Sequence, residues 1–305
     1  MTYRDAEKAR IIAMRDTLFR DEGDGLFKGI SYPFVLKNPI LNLWDGIRED
    51  TYRYFEENKI AWWSGEKSGV TGHLLSSQVA CLNHLFPLRQ REDMASAILK
   101  TLRDDIVKAE RMDSGFVEFE VVGRENYLGE RSHSRGINAT SIDAVMVGRK
   151  KSGANILVII EWKYTEEYGG SDLYIPARAN IYDPLMARKD SPLRAENPGA
   201  LYYEPFYQLM RQTLLGWMMV ENGEYGCDEY LHVHVIPEKN KVLRETITSP
   251  KLTGDSMSDA WKRILIKPSS YLVLSPRKLL EPITQCADTS SLTSYLEKRY
   301  WGGDT

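Results

Sequence analysis

The sequence predicts an α/β protein, and the hydrophobic period carries the prediction. Up to about residue 111 the apolar residues recur at helical spacing. Between 117 and 162 they alternate or run in β-branched blocks, and from 201 the helical spacing returns. A further observation is the turn R-K-K-S-G-A-N at 149–155, which joins two apolar runs as a hairpin loop would.

Taken in order, residues 5–20 carry Ile11, Ile12, Met14, Leu18 and Phe19 among charges, the pattern of an amphipathic helix. Residues 41–57 continue it with Trp44, Ile47, Tyr52 and Phe55. A Gly- and Ser-rich loop at 64–72 leads into a helix over 74–88. Residues 93–111 predict another helix, with Met94, Ile98, Leu102, Ile106 and Val107 near helical spacing. V-E-F-E-V-V at 117–122 then alternates as a strand, and 141–147 and 156–162 follow as β-branched strands. A helix over 201–220 ends at Glu221-Asn222-Gly223, where glycine supplies the left-handed stop. Strands at 230–236, closed by Pro237, and at 271–274 complete the order.

Composition narrows the class. With 305 residues, 42% hydrophobic and 27% charged, the chain can bury a sizeable core and is neither disordered nor collagen-like. Forty basic against forty-three acidic residues leave a net charge of −3, so no overall basic field advertises nucleic acid. Basic clusters at Arg124, Arg131 and Arg135, at Arg149, Lys150 and Lys151, and at Arg188, Lys189 and Arg194 read, singly, as solvated loops. Cys81, Cys227 and Cys286 include no C-x-x-C pair, which excludes a disulfide framework and a cysteine zinc site. The start, MTYRDAEKAR, is charged where a signal peptide is apolar, and apolar runs such as 157–160 and 217–220 fall far short of a membrane span. A soluble cytoplasmic protein without a membrane partner is expected. No repeat, nucleophile elbow, phosphate loop or dinucleotide fingerprint is present.

The chemistry concentrates in S-I-D-A-V-M-V-G-R-K-K-S-G-A-N-I-L-V-I-I-E-W-K-Y-T-E, residues 141–166. Centring the hairpin on Ser152 places Val145 opposite Ile159 and Asp143 opposite Glu161. Alternation then puts Asp143, Glu161 and Lys163 on one face, with the two acids near enough to share one cation. The remaining residues are apolar on both faces. Val145, Val147, Leu157 and Ile159 line one, and Ile142, Ala144, Met146, Ile156, Val158 and Ile160 the other, as in covered central strands. Two carboxylates at the end of such a pair face a heavy desolvation cost unless paired or metal-bound. Mg²⁺, with Mn²⁺ as substitute, suits them, with the Trp162 backbone carbonyl as a further ligand. Lys163 is then placed to orient a water and to stabilise charge growing on phosphate. The plainer alternative is a structural ion pair between Lys163 and one of the acids.

Asp143 followed by Glu161-Trp162-Lys163 across a hairpin resembles the D…E-x-K signature of the PD-(D/E)XK nuclease superfamily. More narrowly, S-S-Q-V-A-C-L-N (76–83), G-E-R…R-G-I-N-A-T-S-I-D-A (129–144) and E-W-K-Y-T-E (161–166) resemble bacterial restriction endonucleases. The resemblance spans about residues 72–276. It implies a restriction-endonuclease-like core with a central mixed β-sheet flanked by helices, Mg²⁺-dependent cleavage of DNA, and a role in restriction or phage defence. It makes Asp143 and Glu161 metal ligands and Lys163 the catalytic lysine. Ile142 departs from the signature by standing where proline is usual. On this reading residues 1–70 form an N-terminal helical extension packed on a nuclease-like domain, 71–305. A homodimer is expected, because cutting both strands takes two sites.

The superfamily often adds an acid from the first core helix, but 74–88 offers only Gln78 and Asn83. Glu118 or Glu120, one face of the first strand by alternation, could supply the charge. In the later helix, Glu204, Gln208, Arg211 and Gln212 form one polar stripe. Similar proteins place a glutamine there near the site, so Gln208 and Arg211 are expected to support it. Arg131 and Arg135, with Glu130 and Asn138 in the loop before Asp143, are candidate phosphate clamps. His232 and His234, two apart on one strand face, could bind a metal, but no third ligand has suitable spacing, and they read as packed or solvated. The alternative to a hydrolase is an inactive module on the same fold that binds nucleic acid or protein.

Overall fold

The computed structural model describes residues 1–63, 69–134, 139–194 and 197–302. The chain opens with helix α1 (Tyr3–Leu18), whose start is closed by a capping box in which Thr2 and Asp5 exchange side chain-to-backbone hydrogen bonds. A hairpin follows, β1 (Asp24–Phe27) and β2 (Ile30–Leu36). Helices α2 (Arg48–Glu57), α3 (Ser77–Leu85) and α4 (Glu92–Leu102) lead into the strands β3 (Ile106–Glu110), β4 (Glu118–Val121), β5 (Ile142–Lys150) and β6 (Asn155–Trp162). Next come α5 (Pro176–Met186), α6 (Phe206–Glu221), β7 (Cys227–Val235), α7 (Lys241–Glu245) and α8 (Met257–Ile264). The described chain closes with β8 (Tyr271–Leu274), α9 (Pro276–Leu280) and α10 (Ser290–Leu296).

The central sheet is mixed, in the order β3-β5-β6-β7-β8, with β4 also paired to β5. Strands β3 and β4 lie end to end along one edge of β5, pairing with residues 147–150 and 142–145. β5 and β6 are antiparallel, whereas β6, β7 and β8 run parallel. Both faces are covered by helices, so this is a restriction-endonuclease-like core with an N-terminal helix. One apolar layer joins Ala144, Met146, Val158 and Ile160 to α3 and α4, and also to Ile11 of α1 and the C-terminal Leu296 and Trp301. The other packs Val145, Val147, Leu157 and Ile159 under α6 and α8. No helix among the described residues is long and apolar enough to cross a membrane.

The hairpin register is the expected one: Val145 pairs with Ile159 and Val147 with Leu157. Asn222 caps α6 and Gly223 follows in the left-handed region at φ 71°, also as expected. Elsewhere the structure differs from the sequence reading. The helix expected over 93–111 ends at Leu102, and Ile106–Glu110 instead pairs with β5, burying Ile106 and leaving Val107 exposed. The expected 201–220 helix starts only at Phe206, after a 3₁₀ turn at Pro198–Leu201 and with Pro205 at its N-cap. Residues 41–57 are split by 3₁₀ turns before α2. The β1–β2 hairpin interrupts a region read as helical; its turn, Lys28-Gly29, has both φ values positive, at 52° and 79°. Ile142 packs with Val121 in the α6-side layer rather than with Ala144, because the β6 ladder has already stopped at Ala144.

Candidate active site

Four neighbouring strands each bring one polar side chain to the same end of the sheet. The β5–β6 ladder ends at Ala144–Ile160, and just beyond it Asp143 and Glu161 lie close enough for each charge to act on the other. The β4–β5 register, interrupted between Phe119–Ala144 and Val121–Ile142, places Glu120 across from Asp143 on the other side. Glu161 in turn pairs with His234 of β7. At the end of the ladder the Asp143 carboxylate itself takes over as acceptor: the Trp162 N–H donates to Oδ2 at 2.7 Å. A strand residue turns its N–H and C=O to the same edge, so the Trp162 carbonyl faces this corner too. The next N–H, of Lys163, points the other way, to the Val235 carbonyl at 2.9 Å.

Helix α6 crosses above this corner. Its Gly216 lies so close to β6 that an added Cβ would stand 2.8 Å from Ile159 Cδ1, and this approach lets the helix's glutamines reach the strand end. Gln212 donates through Nε2 to Glu161 Oε2 and, at 3.0 Å, to the Ser141 carbonyl. Lys163 Nζ, 5% exposed, donates to Gln208 Oε1 at 2.5 Å and pairs with Glu161 Oε1 at 2.6 Å. Glu161, 1% exposed, thus has both oxygens held, one by a cation and one by an amide. On the opposite rim Gln78 of α3 donates to Glu120 Oε1 at 2.8 Å, and Ser141 Oγ donates to Glu120 Oε2 at 3.0 Å.

The electrostatics are those of an anionic corner in which Glu161 and Lys163 are buried and Asp143 and Glu120 are half-buried. Burial, reinforced by Glu161 and Glu120, pushes the Asp143 carboxyl well above the usual range, against the opposing pull of Lys163 and the Trp162 N–H. Burial alone would lower Lys163, but Glu161, with Tyr168, Glu166 and Asp143, more than reverses this and keeps the ammonium charged. Among the described residues no three His, Cys, Asp or Glu side chains converge to hold an ion by themselves. Two carboxylates and a carbonyl still suit Mg²⁺, which takes one or two protein carboxylates and keeps several waters. A divalent cation would also relieve the repulsion that raises Asp143.

Not every expected residue reaches the corner. Glu118 does not: it accepts from Tyr54 OH at 2.8 Å and from Ser114 N–H and Oγ at 2.8 and 2.6 Å, tying α2 and a loop to the sheet. Glu120 has φ 51°, a left-handed residue that breaks the alternation expected to keep both acids on one face. Asn83 is engaged with Trp44, Asn42 and Tyr300, away from the acids. Arg211 turns from the acids to stack on Tyr207 at 4.8 Å, while its neighbour Gln212 makes the contact with Glu161. Arg131 is exposed on a neighbouring cleft, and Arg135 and Asn138 lie outside the described residues. Glu130 is a loop fastener, accepting from the Thr140 N–H at 2.6 Å and from the Tyr182 hydroxyl. His232 and His234 are packed core, as expected, and burial pushes His232 down to about 3. Sequence reasoning missed Tyr168, whose ring faces Lys163 Nζ at 5.5 Å and whose phenol burial pushes up to about 12. Its signal was proximity alone, five residues after Lys163.

A family model described as Restriction Endonuclease associating with ARP matches residues 24–301. No curated protein and no solved structure matches the chain.

Proposed function

The chain belongs to the family described as Restriction Endonuclease associating with ARP, and on that premise we propose that it is a PD-(D/E)XK-type nuclease that hydrolyses DNA phosphodiester bonds with Mg²⁺. The observation that carries this reading is the transverse row of Glu120, Asp143 and Glu161, closed by Lys163 on Glu161 at 2.6 Å. Asp143, Glu161 and the Trp162 carbonyl would hold the ion, and Mn²⁺ would substitute. When bound, the ion would supply Lewis-acid stabilisation of the phosphate and a more acidic water.

The chain's own residues do the rest. Lys163, held between Glu161 and Gln208, keeps its proton and presents a fixed positive charge to the phosphate oxygens. Gln208 and Gln212 act as positioning residues: one orients the ammonium, the other fixes the orientation of the Glu161 carboxylate. Glu120, steadied by Gln78 and Ser141, adds negative potential beside Asp143 and is placed to accept a hydrogen bond from water. Each chain contributes one such row, so cleavage of both strands calls for two copies on the duplex. Restriction or phage defence is the setting that fits such an activity.

Plasmid nicking tests the reading. Supercoiled DNA should be nicked or cut with Mg²⁺ or Mn²⁺ and untouched with a chelator, and Lys163→Ala should lower the rate by at least about a hundredfold. Circular dichroism must show the variant folded. Cleavage that persists in the folded variant, or in chelator, would reject the mechanism.

A further inference from the structure

Two surface clefts have the same volume, about 720 Å³, and opposite character. One, beside α2, is walled among the described residues by Asp45, Glu49 and Asp50 against a single arginine, Arg48. The other lies between α5, α6 and residues 130–132 and 139, and among the described residues it is walled by Arg131, Arg178 and Arg211 against a single acid, Glu130. That acid accepts from Thr140 and Tyr182, and it and Glu204 act on Arg211 only at a distance, with no ion pair to it among the described residues.

The guanidiniums are held without being used up. Arg178 and Arg211 both stack on the ring of Tyr207, at 5.3 and 4.8 Å from its centroid, and Tyr207 is itself braced edge-on by Tyr182. Arg178 makes one further bond, to the Leu173 carbonyl at 2.6 Å. Arg211 has no hydrogen-bond or ion-pair partner among the described residues, and its Nε is buried without an acceptor. A guanidinium fixed by stacking with its N–H edge free is prepared for a bidentate anion. The cleft and the acid row share one helix, α6. Arg211 stands between Gln208 and Gln212 in α6, the two residues that touch Lys163 and Glu161.

We infer that this cleft binds the sugar-phosphate backbone of the DNA strand being cut, with Arg211 and Arg178 as its main phosphate contacts and Arg131 at its mouth. The inference rests on the nuclease reading for the identity of the anion. Phosphate contacts fix the register of a strand without reading its sequence. Held here, the strand passes from the arginines along α6 to the corner at Lys163.

The test separates binding from cutting. Fluorescence anisotropy with a labelled DNA duplex, and with its single strand, is measured in chelator, where no hydrolysis is expected. Arg178→Glu and Arg211→Gln should each weaken binding of at least one form by about tenfold. The slope of log affinity against log salt should fall by about one for each arginine removed. Arg131→Glu, fully on the surface, should move affinity in the same direction and guards against misfolding of the half-buried Arg211 variant. Unchanged affinity and salt slope in all three variants would overturn the inference even if the protein cuts DNA, and so would a wild-type chain that binds neither form. A chain that binds through these arginines but never cuts, with any divalent ion, would sustain the cleft and overturn the hydrolase.

Discussion

Asp143 shows how a single side chain can be costly to the fold and useful to the site. Its carboxyl is raised by burial and by Glu161 and Glu120, so the native state holds a proton that the unfolded chain releases near the ordinary aspartate value. The native state binds more protons across that interval. Its stability is therefore fully present below the unfolded value and is lost as pH rises through the folded one. In chelator at neutral pH, Asp143→Asn should accordingly raise stability by about 1–2 kcal/mol, read as a higher urea midpoint, while the Trp162 N–H keeps an oxygen acceptor. The same variant should lose the rise in melting temperature that Mg²⁺ gives the wild type. A variant less stable than wild type in chelator would show that Asp143 is satisfied without an ion. The β5–β6 register that leads up to Asp143 and Glu161 was legible in the sequence because it needs only hairpin arithmetic about Ser152. The place of Glu120 was not, because alternation cannot register one residue turned to φ 51°.

At the scale of elements, α6 is the part that completes the site, and its distance from β6 is set at Gly216. A Gly216→Val side chain would press on Ile159 Cδ1, which stands 2.8 Å from a Cβ at that position, in a layer where Ile159 is fully buried. Helix propensity alone favours valine over glycine by a few tenths of a kcal/mol, so any loss reports packing. Urea denaturation should show Gly216→Val destabilised by about 1–3 kcal/mol. Because lifting the helix draws Gln208 and Gln212 from Lys163 and Glu161, cleavage should fall as well, and adding Ile159→Ala should restore part of both. Additive effects in the double variant would argue against direct contact. Central strands and long apolar helices were legible because their period is carried by many residues. The helix read over 93–111 failed because Ile106 and Val107 fit its spacing while the deciding contact, the ladder to β5, is long-range. The N-terminal hairpin escaped notice because its tell-tale, Lys28-Gly29, is only two residues long.

At the scale of the molecule, the N-terminal segment is fastened to the rest at two points that bear on the site and on the fold. Near the site, Glu7 of α1 accepts from the hydroxyl of Tyr164, the residue after Lys163, and is paired with Arg10. Farther off, the fully buried Arg299 donates to the Asn42 carbonyl and side chain and to Tyr295 OH. Its guanidinium also stacks on Phe19 and Tyr300, at 4.9 and 4.8 Å. One cation thus joins the end of α1, the segment before α2 and the C-terminal helix, and the apolar layer around it runs unbroken from Ile11 to Trp301. The N-terminal segment, tied in this way to the C-terminal layer, should therefore melt with the rest of the chain. Calorimetry should give a single transition whose van't Hoff and calorimetric enthalpies agree. Arg299→Ala leaves the Asn42 side-chain oxygen without its donor, while the Asn42 carbonyl keeps Asn83, a loss of about 1–3 kcal/mol for a buried group. It should lower that one transition by several degrees rather than split it. Two resolved transitions, in the wild type or in the variant, would mean that the N-terminal segment folds on its own and that its hold on Tyr164 contributes nothing to the stability of the Lys163 corner.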